Sequence, residues 1–125
     1  MRSRTRWIIA LFAVLMGGVL LGACQTSEPS GDVGYGPARG AAERVLTTDD
    51  RFNTPVIEAE AGDRLVVEIT NVGDNNHEFA IPDMGLTTGT IEPGESAWAR
   101  FEVPKGTTTF VCSYHGDMEG VIKAR

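Results

Sequence analysis

The side chains best suited to binding a soft metal crowd into one stretch near the C-terminal end, Cys112-Ser113-Tyr114-His115-Gly116-Asp117-Met118. The chain has two histidines, and the one outside this stretch, His77, lies 35 residues before Cys112. Two imidazoles, a thiolate and a thioether are the donor set of a trigonal copper site with a weak axial sulphur. The spacing suits that chemistry. Cys112 at a strand end offers a strong, covalent thiolate bond, and a two-residue step brings His115 to the same ion. A second short step brings the soft thioether of Met118 to the axial side, and His77 closes the site from a facing loop. Sulphur favours Cu(I) and imidazole suits both oxidation states, so a rigid compromise keeps the reorganisation cost of electron transfer low. Zinc accepts Cys-His₂ donors too, but an axial methionine gives little reason to choose it.

Each residue has a plainer reading in isolation. His77 alone is a hydrogen-bonded core histidine, Cys112 a small buried hydrophobe, and Met118 core filler. Their order and spacing together favour one shared ion.

The cysteine count adds an independent clue. Residues 1–7 carry three arginines and no acid, and residues 8–23 are uncharged and mostly apolar, the pattern of an export signal. The run is short of the roughly 20 apolar residues of a membrane span. Leu21-Gly22-Ala23-Cys24 resembles the bacterial lipobox, which implies that Cys24 is acylated and begins the mature chain. Two acyl chains then anchor the protein to the extracytoplasmic face of a membrane, in a periplasm or on a cell surface. Cys24 would be unavailable for pairing, leaving Cys112 as a lone thiol in an oxidising compartment, where metal ligation explains its persistence.

Residues 24–43 are rich in Gly, Pro, Ser and Ala without apolar periodicity, which predicts a flexible tether. Nineteen such residues (25–43) would reach about 25 Å. From residue 44 to residue 125 the text changes to short strand-like runs divided by turn signals. Leu65, Val67 and Ile69 share a face, as do Ala97, Ala99, Phe101 and Val103. His77 alternates in phase with Phe79 and Ile81, which points its imidazole at the core. A further strand is expected at 87–91, then Thr107–Cys112 and Val121–Ala124, with Gly116 and Gly120 allowing a tight turn between those two. About seven or eight strands without a helical period predict an all-β, antiparallel sandwich or barrel.

Phe110 to Gly120 resembles the C-terminal motif of the cupredoxins, the plastocyanin and amicyanin superfamily, and the Cys-x₂-His-x₂-Met spacing is closest to the short amicyanin loop. Val45–His77, with its Ala61-Gly62-Asp63 turn and Asn71 strand end, is similar to the front half of the same fold. The resemblance implies the Greek-key sandwich, and one type 1 copper held by His77, Cys112, His115 and Met118, with His115 at the surface as the electron port. Tyr114 and Met84 would flank that port in a docking patch. One position departs from the pattern: an asparagine usually follows the first histidine and ties the ligand loops together, and here it is Glu78. His77-Glu78-Phe79 looks more like the binuclear copper domains of terminal oxidases. Those need two cysteines in the C-terminal loop, and only Cys112 is present.

The whole chain carries a net charge of −6, and loss of Arg2, Arg4 and Arg6 with the signal leaves eight basic against seventeen acidic residues, a net −9. Such a domain repels nucleic-acid phosphates and attracts partners with a basic patch. The expected function is a monomeric one-electron carrier between membrane-associated redox partners. The alternative is an extracytoplasmic copper chaperone that hands its ion to an accepting protein. Copper enzymes need further histidine-bound copper, and both histidines are committed.

Overall fold

The computed structural model describes residues 31–40 and 42–125. The expected export signal over residues 1–23, and Cys24, lie outside the described residues.

The strands in chain order are β1 (Asp32–Tyr35), β2 (Glu43–Thr48), β3 (Arg51–Phe52), β4 (Val56–Ala59), β5 (Arg64–Asn71), β6 (Ala80–Ile81), β7 (Leu86–Thr87), β8 (Ser96–Glu102), β9 (Thr107–Val111) and β10 (Glu119–Ala124). They make two five-stranded sheets, ordered β1-β8-β5-β2-β3 and β4-β10-β9-β6-β7. The expected all-β sandwich is the fold. Two pairings are nonetheless parallel, β2 with β5 and β4 with β10. Parallel neighbours need a crossover, and here the chain supplies it by leaving one sheet for the other and returning.

Period-two alternation builds the core. Val67 and Ile69 of β5 and Ala97, Ala99 and Phe101 of β8 are buried from one sheet; Ile57, Ile81, Phe110 and Ile122 are buried from the other. Small alanines on β8 opposite large aromatic rings let the two layers interdigitate at close packing.

The tether expected over 24–43 is cut short by β1, which pairs antiparallel with β8 from Asp32↔Arg100 to Tyr35↔Ala97. Glycine here serves packing: an ideal Cβ on Gly34 would stand 2.6 Å from the Trp98 ring, so the bare backbone lets that indole lie across the strand. The chain then crosses the outer face of the sheet to reach β2. On the way the Ala38 N–H donates to the Glu68 carboxylate at 2.6 Å, and Arg44 pairs with the same group. Glu68 points away from the core, yet this crossover and its neighbours leave it 4% exposed.

Strand directions bring four connections to one end of the sandwich: residues 49–55, 72–79, 88–95 and 112–118. All four candidate metal ligands lie at this end.

Candidate metal centre

His77 stands just ahead of β6 and is held by an isolated pair. Its N–H donates to the Ile91 carbonyl at 3.1 Å, and the Ile91 N–H donates back at 2.8 Å. The strand expected to begin at His77 is therefore only two residues long, and the one expected at 87–91 is β7 followed by an irregular segment. The alternation survives: His77, Phe79 and Ile81 are buried, and Glu78 and Ala80 are half-buried. Asn71 at the end of β5 fixes the approach. Its buried amide donates to the Asn75 carbonyl at 2.8 Å and the Ile91 carbonyl at 2.9 Å, while its side-chain oxygen accepts from the Gly73 N–H at 3.0 Å.

Three backbone bonds fold the Cys112–Met118 loop. The Cys112 N–H donates to Met118 O (2.9 Å), Met118 N–H to His115 O (3.0 Å) and His115 N–H to Cys112 O (3.3 Å). These nested turns bring the ends of a seven-residue segment together. The glycines act otherwise than expected, since neither Gly116 nor Gly120 has a positive φ. Gly120 instead faces Phe110 across β9 and β10, and an ideal Cβ on it would stand 2.2 Å from that ring.

Cys112 and His77 are buried and His115 half-buried. The Cys112 Sγ is 3.8 Å from His77 Nδ1 and 3.7 Å from His115 Nδ1. Their donor atoms all lie within 4.8 Å of one another, with the two imidazole rings tilted by 31°. Metal–thiolate and metal–imidazole bonds of about 2.3 and 2.1 Å place their donors about 3.8 Å apart at 120° and about 3.6 Å apart at a tetrahedral angle. The observed spacing fits one shared ion in a near-trigonal arrangement. Met118 is 2% exposed and belongs to the same buried cluster as Cys112.

Burial holds the His77 imidazole below its ordinary pKa of 6.5; the neighbouring His115 pushes the same way, against a smaller opposing pull from Asp49. A neutral imidazole is the form that binds metal.

Side chains outside the ligand set complete the centre: Glu78 and Tyr114, which the sequence singled out, and Thr87, Thr90 and Ser113, which it did not. The Glu78 carboxylate accepts hydrogen bonds from the hydroxyls of Thr87 and Ser113. The Tyr114 and Thr90 hydroxyls pair at 2.6 Å. These partners lie 9 to 35 residues apart in the chain, and isolated hydroxyl residues carry no periodic signal. Tyr114 is half exposed beside His115. Met84 is not its neighbour in a patch: it sits in the 3₁₀ turn Pro82–Met84, at the end of the β6–β7 hairpin away from His77, packed against the core. The connections at the metal end also carry Asp49, Asp50, Asp74, Glu92, Glu95 and Asp117, against Arg51 as the sole lysine or arginine there.

The sequence matches the Cupredoxin-like domain family over residues 13–124. No curated protein matches it. Among solved structures, dithionite-reduced auracyanin from the photosynthetic bacterium Roseiflexus castenholzii is similar with a TM-score of 0.59 at 17% identity, covering 69% of this chain and 98% of that one. A reduced tryptophan-to-tyrosine mutant of amicyanin gives a TM-score of 0.62 at 18% identity, covering 76% and 98%. The Cu(I) form of a methionine-to-alanine mutant of amicyanin gives 0.59 at 17%, covering 74% and 98%. At these identities the likeness is one of fold.

Proposed function

The chain belongs to the cupredoxin-like domain family, and from that premise we propose that it is a mononuclear copper protein carrying single electrons between membrane-associated redox partners. The observation that carries this reading is the convergence of His77 Nδ1, Cys112 Sγ and His115 Nδ1 at trigonal spacing. Copper bound there would cycle between its 1+ and 2+ states. Met118 would be the axial donor. The protein's part is to hold these donors rigidly and keep water off Cys112, His77 and Met118, all of them buried. His115 is the donor with exposed surface, so electrons would enter and leave past its ring. With both histidines used, the chain has no second imidazole site of the kind a copper enzyme needs.

The acidic connections around His115 favour a partner with a basic patch, whose association would slow as salt screens the attraction. Anchoring through an acylated Cys24 fits the same picture. Eight residue steps separate Cys24 from Asp32, so β1 would start within about 29 Å of the anchor. β1 starts away from the metal end, which would turn His115 outward from the membrane.

The test is copper titration of the protein. One equivalent of Cu(II) should bind with an intense visible thiolate-to-copper band and reversible one-electron reduction. A colourless complex, or a Cys112→Ser protein that binds copper as well as the wild type, would sink the reading. Handover of Cu(I) to an acceptor without reversible cycling would replace it with copper delivery.

A further inference from the structure

We infer that Glu78 and Thr90 are positioning residues that clamp the Cys112–His115 loop from both sides of the His77–Ile91 pair, and that the Glu78 charge biases the site towards Cu(II). This rests on the copper reading above and deepens it.

Two residues separate Cys112 from His115, and each is tied down by its side chain. The Ser113 hydroxyl donates to Glu78, whose other carboxylate oxygen accepts from Thr87 Oγ1 at 2.5 Å. Thr87 Oγ1 in turn accepts from the Gly89 N–H at 2.9 Å. The Tyr114 hydroxyl meets Thr90 Oγ1 at 2.6 Å. Glu78 directly follows His77 and Thr90 directly precedes Ile91, the two residues that exchange backbone hydrogen bonds. The ties therefore flank that exchange. They join the loop that supplies two donors to the backbone that supplies the third.

All of these contacts are protein to protein, so they hold the donors equally in either metal oxidation state. That is how a site limits its own rearrangement on electron transfer. Partners of this kind, one bond removed from the ligands, orient them and tune the metal. Glu78 does so with a charge. Its two hydroxyl partners are neutral, and it is half-buried, where charges are screened less than in water. A negative charge next to His77 favours the more positive metal ion.

The experiment uses the full-length, copper-loaded chain and its Glu78→Gln, Ser113→Ala and Thr90→Val variants, with thermal melts to verify folding. Glu78→Gln keeps an acceptor oxygen and loses the charge. Its Cu(II)-to-Cu(I) affinity ratio should fall about tenfold, a rise in potential of about 59 mV for one electron. Ser113→Ala and Thr90→Val keep the charge and loosen the loop. They should weaken copper binding about tenfold or more and alter the visible band and the copper EPR splitting. A coloured wild type with variants unchanged in potential, spectrum and affinity overturns this inference alone. A wild type that takes up no copper overturns the copper reading and this inference with it.

Discussion

The rings of Phe79 and Phe110 stack with centroids 5.0 Å apart and planes 30° from parallel. Each ring sits two residues from a donor, Phe79 after His77 and Phe110 before Cys112. Period-two geometry puts each aromatic beneath its ligand on the same face of the chain. Phe52 meets Phe110 edge-on at 5.0 Å and Phe79 at 6.2 Å, which completes the floor. The separation of His77 and Cys112 is thus set by aromatic packing one layer below the metal.

That floor depends on a glycine. A Cβ on Gly120 would meet the Phe110 ring at 2.2 Å and the Pro55 carbonyl at 2.8 Å. Gly120→Ala should cost about 1–3 kcal/mol, the usual penalty for overpacking a tight core. Gly116 faces open space, and Gly116→Ala should stay within about 0.5 kcal/mol. Chemical denaturation of both variants measures this; equal losses would refute the packing account.

Stability of the metal-free protein should fall in acid. The folded pKa of His77 lies below its ordinary 6.5. Between those two values the unfolded chain binds more protons than the folded one, so stability rises with pH there. The contribution is complete above 6.5 and is lost as pH drops through the folded value. Denaturant midpoints from pH 8 downwards would show the decline starting near 6.5. Copper should oppose it, because metal binds the neutral ring and protons compete for it.

Residues 31–42 should behave as part of the domain. Starting the protein after residue 42 removes β1 and the Ala38 N–H that serves buried Glu68. The same removal opens Glu68 to water, so the loss is the net worth of one hydrogen bond to a charged group, about 1.5–3 kcal/mol, before counting the uncovered Trp98 face. A protein starting at Gly31 should therefore melt well above one starting at residue 43. Equal melting temperatures would return these residues to the status of a tether.

Met118→Leu should separate axial ligation from core filling. The swap nearly conserves volume, so stability should change by less than about 1.5 kcal/mol. Removing a lone-pair donor costs the more highly charged ion more, so the potential should rise. Voltammetry beside a thermal melt distinguishes the roles: an unchanged potential would leave Met118 as packing only.

The donors were legible in the sequence because their signal is local. Cys112, His115 and Met118 lie within one turn-forming segment, and alternation with Phe79 and Ile81 placed His77 towards the core without any partner being known. The sandwich was legible for the same reason, since strands such as β5 and β8 carry their burial pattern in their own residues. Tertiary structure decided what depends on pairing across distance. Residues 32–35, flanked by Gly31 and Gly36, become a strand only once Trp98 lies over Gly34, and Glu78 finds Ser113 only when two connections 35 residues apart meet. Hydroxyl and carboxylate partners follow no period, and a glycine reads alike whether it turns a chain or makes room for a ring. Their roles at this centre are fixed by which side chains the two sheets bring face to face.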